Sequence, residues 1–190
     1  MSISGLGPLG FSSGNSAQPL PQKVGANGAN TFEVAQLVLF NHPEGGGCQG
    51  VITTDNKIVT ATHCTDPNIS FSQERAVEIP VSDVNVVLKT GDPPFPVRRV
   101  SQQEFIEQGS TFKVGSFDIS PQGQPTGTSV VPLTQFRGNP GNSGAPVFDS
   151  QGNVVGAYSG VRVGENGEVS GYNFALFGDK PVTVQVPASE

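Results

Sequence analysis

One serine of this chain stands in a loop whose composition suits nucleophilic chemistry. The run Arg137 to Val147 reads Arg-Gly-Asn-Pro-Gly-Asn-Ser-Gly-Ala-Pro-Val, with Ser143 at its centre. Glycines let a backbone turn sharply and approach another molecule closely. Such a loop can aim consecutive N–H groups at one point, as a developing oxyanion requires. The same composition is typical of an ordinary surface turn, so other residues must decide between the two interpretations.

Acyl transfer by a serine also needs a base and a group that orients the base. Histidine is the usual base because its pKa lies near working pH, and the chain has 2 histidines. His42 lies in a turn rich in Pro and Gly, where we expect solvent exposure. His63 follows the β-branched, apolar run Ile58 to Ala61 and directly precedes Cys64. A histidine at the end of a strand can equally be structural, so its position alone leaves both roles open.

Composition excludes several other classes of protein. The 190 residues carry a formal net charge of −6, which argues against a surface that binds phosphates, so we expect no nucleic-acid partner. No apolar run approaches about 18 residues, so we expect no membrane-spanning helix, and no signal peptide is visible at the start. The 2 cysteines could form a disulfide, a redox pair or two buried thiols. No cluster of His and Cys indicates a metal site.

The order of strands and turns predicts an all-β fold. The chain has 25 Gly and 16 Pro, which punctuate short apolar runs. Residues 1–30 are rich in Gly, Ser, Asn, Pro and Gln and are predicted to be a flexible N-terminal arm. The cluster Gly91 to Pro96 is the best candidate for a linker. It separates a first β-barrel at 31–96 from a second at 97–190.

Each barrel is expected to contain about six antiparallel strands. The first group is predicted at 32–40, 48–53, 57–61, 69–71, 76–79 and 84–88. The second group is predicted at 97–100, 111–117, 129–133, 145–148, 153–158 and 171–177. One short helical turn is expected, at 102–108.

Two motifs carry a family resemblance. The run Val59 to Cys64 resembles the T-A-A-H-C motif of chymotrypsin-like serine proteases, with Thr62 in place of the second alanine. The run Gly141 to Val147 resembles their G-D-S-G-G-P-V motif, with Asn142 for aspartate and Ala145 for glycine. The G-N-S-G form also resembles glutamyl endopeptidases and bacterial HtrA-like proteases. The likeness spans about residues 31–177 and implies two barrels with the active site in the cleft between them.

The resemblance extends to the cysteines and to one aspartate. Cys48 and Cys64 are 64 − 48 = 16 positions apart, which matches the disulfide that the family places beside its histidine. The run Asp83 to Leu88 looks like the family's D-I-A-L-L stretch, and the motifs follow the family's order of His, Asp and Ser. Three other aspartates compete with Asp83 on sequence grounds but suit the position less well: Asp66, Asp92 and Asp118.

The family's chemistry implies a role for each of these residues. Ser143 would be the nucleophile, His63 the general base and Asp83 the carboxylate that orients His63. The backbone N–H groups of Gly141 and Ser143 would form the oxyanion hole. The implied activity is that of a serine endopeptidase that forms an acyl-enzyme on Ser143. It would act on a protein or peptide substrate as a monomer, with no cofactor or metal and no membrane partner.

The resemblance also implies a substrate-binding region. Its residues would be Arg137, Tyr158, Ser159, Gly160 and Val161, with Ser159 bonded to the carboxylate of Asp83. A buried Arg137 would favour an acidic side chain before the scissile bond. A pocket narrowed by Tyr158 and Val161 would favour a small one, and Arg137 could instead face solvent.

Departures from the family leave further alternatives. Asn142 carries no charge, so activation through a salt bridge to a freed N-terminus is not expected. One alternative function is a catalytically inactive, protease-like binding module. Another is a viral protease that cuts itself from a polyprotein, a possibility raised by the terminal Glu190. A disulfide favours secretion or another oxidising compartment, with a viral polyprotein product as the alternative.

Overall fold

The computed structural model describes residues 37–43, 47–90, 95–139 and 141–186. The predicted N-terminal arm, residues 1–30, lies outside these ranges. So do the start of the first predicted strand and residues 91–94 of the predicted linker. The division of the chain into 31–96 and 97–190 therefore stays a prediction.

The described residues form mostly strands, as expected. The strands are β1 Leu37–Asn41, β2 Gly47–Ile52, β3 Lys57–Ala61, β4 Ala76–Pro80, β5 Asn85–Lys89, β6 Lys113–Ile119, β7 Pro125–Pro132, β8 Pro146–Phe148, β9 Val154–Val163, β10 Val169–Leu176 and β11 Val182–Gln185. The single α-helix within these ranges, α1, spans Gln102–Glu107 and is capped by the Ser101 hydroxyl. Within the same ranges, no helix has the length and apolar character that a membrane span requires.

The strands pair into two antiparallel sheets. The first has the order β4-β3-β2-β1-β5 and the second the order β11-β10-β9-β8-β6-β7. The all-β prediction is confirmed, but the first sheet has five described strands rather than six, and the end strands of each sheet do not pair to close a barrel. The chain at Phe71–Gln73 forms a 3-10 turn instead of the predicted strand, because Ser70 and Gln73 make a reciprocal capping box. Val97 makes only an isolated bridge to Val154.

A shared core holds the two sheets together. Every residue of β2 is buried, and so are the first seven residues of β9. The larger apolar cluster joins β1, β2 and β3 to Phe117, Phe148 and Val154 of the second sheet. Burial on both faces explains why these strands do not alternate strictly between apolar and polar residues. The contact between sheets positions the loops described below.

An ion-pair network fixes the helix to the second sheet. Arg98 donates from Nε to Asp149 at 2.8 Å and from Nη1 to Glu104 of α1 at 2.7 Å. Burial acts to raise the pKa of Asp149, but hydrogen bonds from Asn153 and Arg98 outweigh it, so the pKa lies below its ordinary value. The carboxylate of Asp149 also caps the turn that leads from β8 into β9, by accepting from the backbone N–H of Gln151 at 2.9 Å.

Candidate active site

The register of two paired strands brings a histidine and a glutamate together. Strands β3 and β4 pair antiparallel, with Ala61 opposite Ala76. Beyond that pair, the N–H of Thr62 donates to the carbonyl of Arg75 at 2.9 Å. Continuing the same register by one residue sets His63 opposite Glu74. The chain turns away immediately afterwards, in the 3-10 turn Thr62–Cys64.

Glu74 holds His63 by two contacts. The Nδ1 atom of His63 bonds to Oε2 of Glu74, and the backbone N–H of His63 donates to Oε1 at 3.0 Å. The side chains are 10% and 4% exposed respectively. An Nδ1–H that donates to a carboxylate leaves Nε2 as the acceptor nitrogen of a neutral imidazole. A buried carboxylate behind a histidine is the arrangement that a general base requires.

The expectation that Asp83 orients His63 is corrected by these contacts. Asp83 is exposed and lies in the 3-10 turn Val81–Asp83, whereas Nδ1 of His63 is bonded to Glu74. Sequence reasoning missed Glu74 because it lies in a loop with no recognised motif. The antiparallel register of β3 and β4 was the signal that could have found it. None of the competing aspartates is bonded to His63 among the described contacts.

Ser159 joins this pair to the serine loop. Its hydroxyl donates to Oε2 of Glu74 at 2.9 Å, and its carbonyl accepts from Oγ of Ser143 at 3.3 Å. All four residues of the cluster are buried, with whole-residue exposures of 8% for His63 and 3% each for Glu74, Ser143 and Ser159. The hydroxyl of Ser159 thus bonds to Glu74, whereas the resemblance implied a bond to Asp83.

The Ser143 loop is fixed by β2 of the other sheet. The backbone N–H of Gln49 donates to the carbonyl of Ser143 at 2.8 Å, and Nε2 of Gln49 donates to the carbonyl of Gly141 at 2.9 Å. Gly144 has φ +92°, and a Cβ there would collide with the Gln49 carbonyl and the Thr60 hydroxyl. Glycine is therefore required both by the backbone conformation and by the close approach of the two sheets.

Asn142 is satisfied by neighbouring backbone groups. Its Oδ1 accepts from the N–H of Asn139 at 2.8 Å, and its Nδ2 donates to the carbonyl of Phe117 at 3.0 Å. These two bonds hold the loop without a charge. They are consistent with the expectation that the loop needs no salt bridge to a chain terminus.

The hydroxyl of Ser143 has a partner other than His63 in this structure. It bonds to the carbonyl of Ser159, and the buried Nε2 of His63 has no hydrogen-bond partner among the described residues. A buried acceptor nitrogen without a hydrogen-bond donor costs free energy unless another group or a water molecule donates to it.

The predicted oxyanion-hole residues lie in the same turn. Gly141 has φ +102°, and the turn continues through bonds from Asn142 to Asn139 and from Ala145 to Asn142. In the described part of the chain, no acceptor is assigned to the backbone N–H of Gly141 or of Ser143. The N–H groups of Gly141 and Ser143, one on each side of Asn142, are donors of the kind that can bind a negatively charged oxygen.

The predicted substrate-binding residues show two different environments. Arg137 is exposed, donates from Nη1 to the carbonyls of Thr134 and Phe136, and lies over the ring of Tyr172 at 5.6 Å. Tyr158 is only 1% exposed, and burial raises the pKa of its phenol. Arg137 is therefore not buried as the floor of a pocket.

Tyr158 occupies space beside the serine loop. A Cβ on Gly138 would meet the Tyr158 ring, and the ring packs edge-on against Phe136 at 5.0 Å. The neighbouring Gly160 and Val161 pair with Asn173 and Tyr172 of β10. The Tyr158 ring thus fills the space between Gly138 and Phe136.

The disulfide expected from the sequence is present. Cys48 of β2 and Cys64 are bonded, with their Cα atoms 6.0 Å apart. Their sulfurs and a ring nitrogen of His63 lie within 4.8 Å of one another. Because both sulfurs are in the disulfide, they offer no thiolate to a metal ion. The bond instead ties the strand that supports the Ser143 loop to the turn that carries His63.

A pocket of about 260 Å³ opens beside the histidine and glutamate. Its polar lining residues are His63, Ser70, Glu74, Ser159 and Asn173, and its apolar lining residues are Pro67, Ile69 and Phe71. Its lining residues come from the turn that carries His63, from the loop between β3 and β4, and from β9 and β10 of the second sheet.

Comparison with known proteins identifies similar folds rather than close relatives. No protein-family model matches the chain, and no curated protein is significantly similar to it. Among solved structures, it is similar to a Glu endopeptidase in complex with MPD, at 15% identity and a TM-score of 0.41, covering 88% of this chain and 92% of the other. It is also similar to the inactive form of the Rv3671c protease, at 14% identity and a TM-score of 0.43, covering 85% and 92%.

A third solved structure is the serine endoprotease from Yersinia pestis. It is 17% identical, with a TM-score of 0.41, and the match covers 82% of this chain and 63% of the other. These neighbours are proteases, the kind of protein that the two sequence motifs resemble.

Proposed function

We propose that the protein is a serine endopeptidase in which Ser143 attacks the peptide carbonyl. The observation that carries this proposal is the contact of Ser159 with both halves of the site. Its hydroxyl reaches Glu74 at 2.9 Å, and its carbonyl holds Oγ of Ser143 at 3.3 Å. The nucleophile and the histidine–glutamate pair are thereby gathered around one residue, although they come from different sheets.

The reaction begins when the Ser143 hydroxyl turns from the Ser159 carbonyl to Nε2 of His63. Oγ then forms a bond to the carbonyl carbon of the substrate while its proton passes to Nε2. Glu74 stabilises the resulting imidazolium, because its carboxylate already bonds to Nδ1. The negative oxygen of the tetrahedral intermediate accepts from the N–H groups of Gly141 and Ser143.

The intermediate then collapses to an acyl-enzyme. The C–N bond breaks, and the proton on Nε2 of His63 passes to the departing amine. Water next donates a proton to Nε2 and attacks the ester carbonyl. The attack forms a second tetrahedral intermediate. Its collapse breaks the ester bond, releases the carboxylic acid product and returns the proton from Nε2 of His63 to Oγ of Ser143. The step needs no cofactor, because the chain itself supplies the nucleophile, the base and the oxyanion donors.

A small side chain before the scissile bond fits this site better than an acidic one. The buried ring of Tyr158 lies against Gly138, which narrows the space beside the Ser143 loop. The Arg137 guanidinium is exposed and donates to carbonyls of its own loop. The sequence left a small and an acidic side chain open at this position, and both observations favour the small one.

One observation favours an inactive binding module as the second candidate. The Ser143 hydroxyl bonds to a carbonyl rather than to His63. In an inactive module this would be its permanent state, whereas in a protease it is a resting state that substrate reverses. Secretion remains part of the proposal, supported by the disulfide.

A fluorophosphonate probe separates the two candidates, because only an activated serine reacts with it. We expect the full chain to be labelled on Ser143 and the Ser143→Ala variant to remain unlabelled. Both proteins should give the same circular dichroism spectrum. Absence of labelling in the folded wild-type protein would rule out the protease and favour the binding module.

A further inference from the structure

The pocket beside His63 and Glu74 contains a polar side chain that the proposed reaction does not use. Asn173 lies on β10 and is only 4% exposed. Its Oδ1 accepts from the Thr183 hydroxyl at 2.6 Å, which fixes the orientation of the amide. Its Nδ2 has no assigned acceptor within the described ranges, yet Asn173 lines the pocket. An amide donor at the pocket wall can pair with an acceptor from a ligand or from water.

Glu74 offers the pocket a hydrogen-bond acceptor, whereas Asn173 offers a donor. A carboxylate offers about four acceptor positions, and three are occupied by the His63 N–H, by Nδ1 of His63 and by the Ser159 hydroxyl. One acceptor position therefore remains on a residue that also lines the pocket. The polar end of the pocket thus presents an unused donor and an unused acceptor.

The remainder of the lining comes from the loop between β3 and β4 and is apolar apart from Ser70, whose hydroxyl bonds to Gln73. Pro67, Ile69 and Phe71 line the pocket, and Phe71 is 38% exposed. The guanidinium of Arg162, at the far end of β9, lies 5.7 Å from the centroid of the Phe71 ring. A side chain with a short aliphatic stem can contact this wall while its polar head reaches Asn173.

We propose that this pocket binds a glutamine side chain of the substrate, through its primary amide. The amide carbonyl accepts from Nδ2 of Asn173, and the amide NH2 donates to Glu74. The volume of about 260 Å³ exceeds that of one such side chain. The assignment of the ligand as part of a substrate rests on the proposed protease function, whereas the chemistry of the pocket does not.

Other side chains match the pocket less well. A carboxylate would accept from Asn173 but would face the negative charge of Glu74. An ammonium group would donate to Glu74 but would leave Asn173 without an acceptor. An aliphatic side chain would satisfy neither group. Leaving a buried polar group unpaired lowers affinity by about fivefold or more.

The pocket can be tested without catalysis. The Ser143→Ala protein, labelled with 15N, would be titrated with capped glutamine, glutamate, lysine and norleucine while the side-chain NH2 resonances of Asn173 are followed by NMR. We expect capped glutamine to shift these resonances and to bind about fivefold or more tightly than each of the others. Equal binding of glutamine and norleucine, or unmoved Asn173 resonances, would overturn the proposal.

Two further variants separate specific recognition from general damage. Asn173→Asp keeps the shape and an acceptor for Thr183 but removes the NH2 donor, so the preference for glutamine should disappear. Phe71→Ala, at an exposed position, should weaken all four ligands alike. If Asn173→Asp retains the preference in a folded protein, the proposal is wrong.

Cleavage of matched peptides distinguishes failure of this inference from failure of the proposed function. Peptides that differ only in glutamine or norleucine near the scissile bond would be offered to the wild-type protein. Cleavage without a glutamine preference would reject the pocket assignment and leave the protease intact. Glutamine binding by the Ser143→Ala protein without any cleavage by the wild type would reject the protease and leave the pocket chemistry intact.

Discussion

The hydroxyl of Ser159 donates to Oε2 of Glu74 across a distance of 2.9 Å, linking β9 of the second sheet to the loop that precedes β4 of the first. The same carboxylate oxygen bonds to Nδ1 of His63. Two partners on one oxygen fix the position of the carboxylate. Glu74 is therefore suited to support an imidazolium at His63.

The first prediction separates Glu74 from Asp83. Glu74→Gln should lower kcat for peptide hydrolysis by roughly a thousandfold or more, because an amide cannot stabilise the imidazolium and can hold the wrong tautomer. Asp83→Asn is the matched control and should retain wild-type activity, since Asp83 is exposed. Steady-state kinetics on both variants would decide the matter. A large loss in Asp83→Asn with normal Glu74→Gln would reverse the assignment.

The second prediction concerns the glycine that follows the nucleophile. Gly144→Ala should destabilise the fold by several kcal/mol, because the new Cβ would meet the Gln49 carbonyl in addition to being strained at positive φ. Gly167 has φ +85°, and a Cβ added there would meet nothing within 4 Å. Gly167→Ala should therefore show only the strain, about 1 kcal/mol. Urea denaturation would measure the free energy of unfolding of both variants. If Gly144→Ala and Gly167→Ala lost the same amount, the close approach of the sheets at Gly144 would be contradicted.

The third prediction addresses the disulfide. Its cysteines are 16 residues apart, and for a loop of this size loss of the cross-link is expected to cost about 3 kcal/mol of unfolding free energy. The Cys48→Ala, Cys64→Ala double variant should show this loss by urea denaturation. It should also lose activity at temperatures where it is still folded, because the bond ties β2 to the turn that carries His63. A double variant as stable as the wild type would contradict this account.

The fourth prediction follows from the lowered pKa of Asp149. A carboxyl whose folded-state pKa is depressed stabilises the fold above its ordinary pKa, 3.8, and loses this contribution as the pH falls through the folded-state value. Asp149→Asn should therefore reduce stability near neutral pH, by about 1–3 kcal/mol. The difference from wild type should shrink below pH 3.8. Urea midpoints of the wild type and of Asp149→Asn, measured from strongly acidic to neutral pH, would test this change. A difference in stability that does not vary with pH would refute the ionic contribution of Asp149.

The strands and the two motifs were accessible from sequence because each rests on local chemistry. The run Lys57 to Ala61 was predicted with the same bounds as β3, since β-branched residues and a following polar turn define it. Ser143 and Gly144 were identified because a tight loop between sheets needs glycine. The disulfide followed from family resemblance and is present.

Glu74 was missed because its role depends on strand pairing. It belongs to no strand, and a strand was predicted at 69–71 where the chain instead forms the 3-10 turn Phe71–Gln73. Its position opposite His63 follows from the register of β3 with β4, which a one-residue slip would have changed. β11 was missed for a related reason, because its four residues become a strand by pairing with β10. The orientation of the Ser143 hydroxyl depends on Ser159, 16 residues away.

The pairing of His63 with Glu74 across the end of one hairpin has a consequence for folding. The two partners are only 11 positions apart in the chain, so closing this loop costs little chain entropy and can occur early. Ser143 and Ser159 reach the pair only after the second sheet has docked. During refolding, the recovery of hydrolysis should therefore lag behind the burial of the histidine and report the docking of the two halves of the molecule.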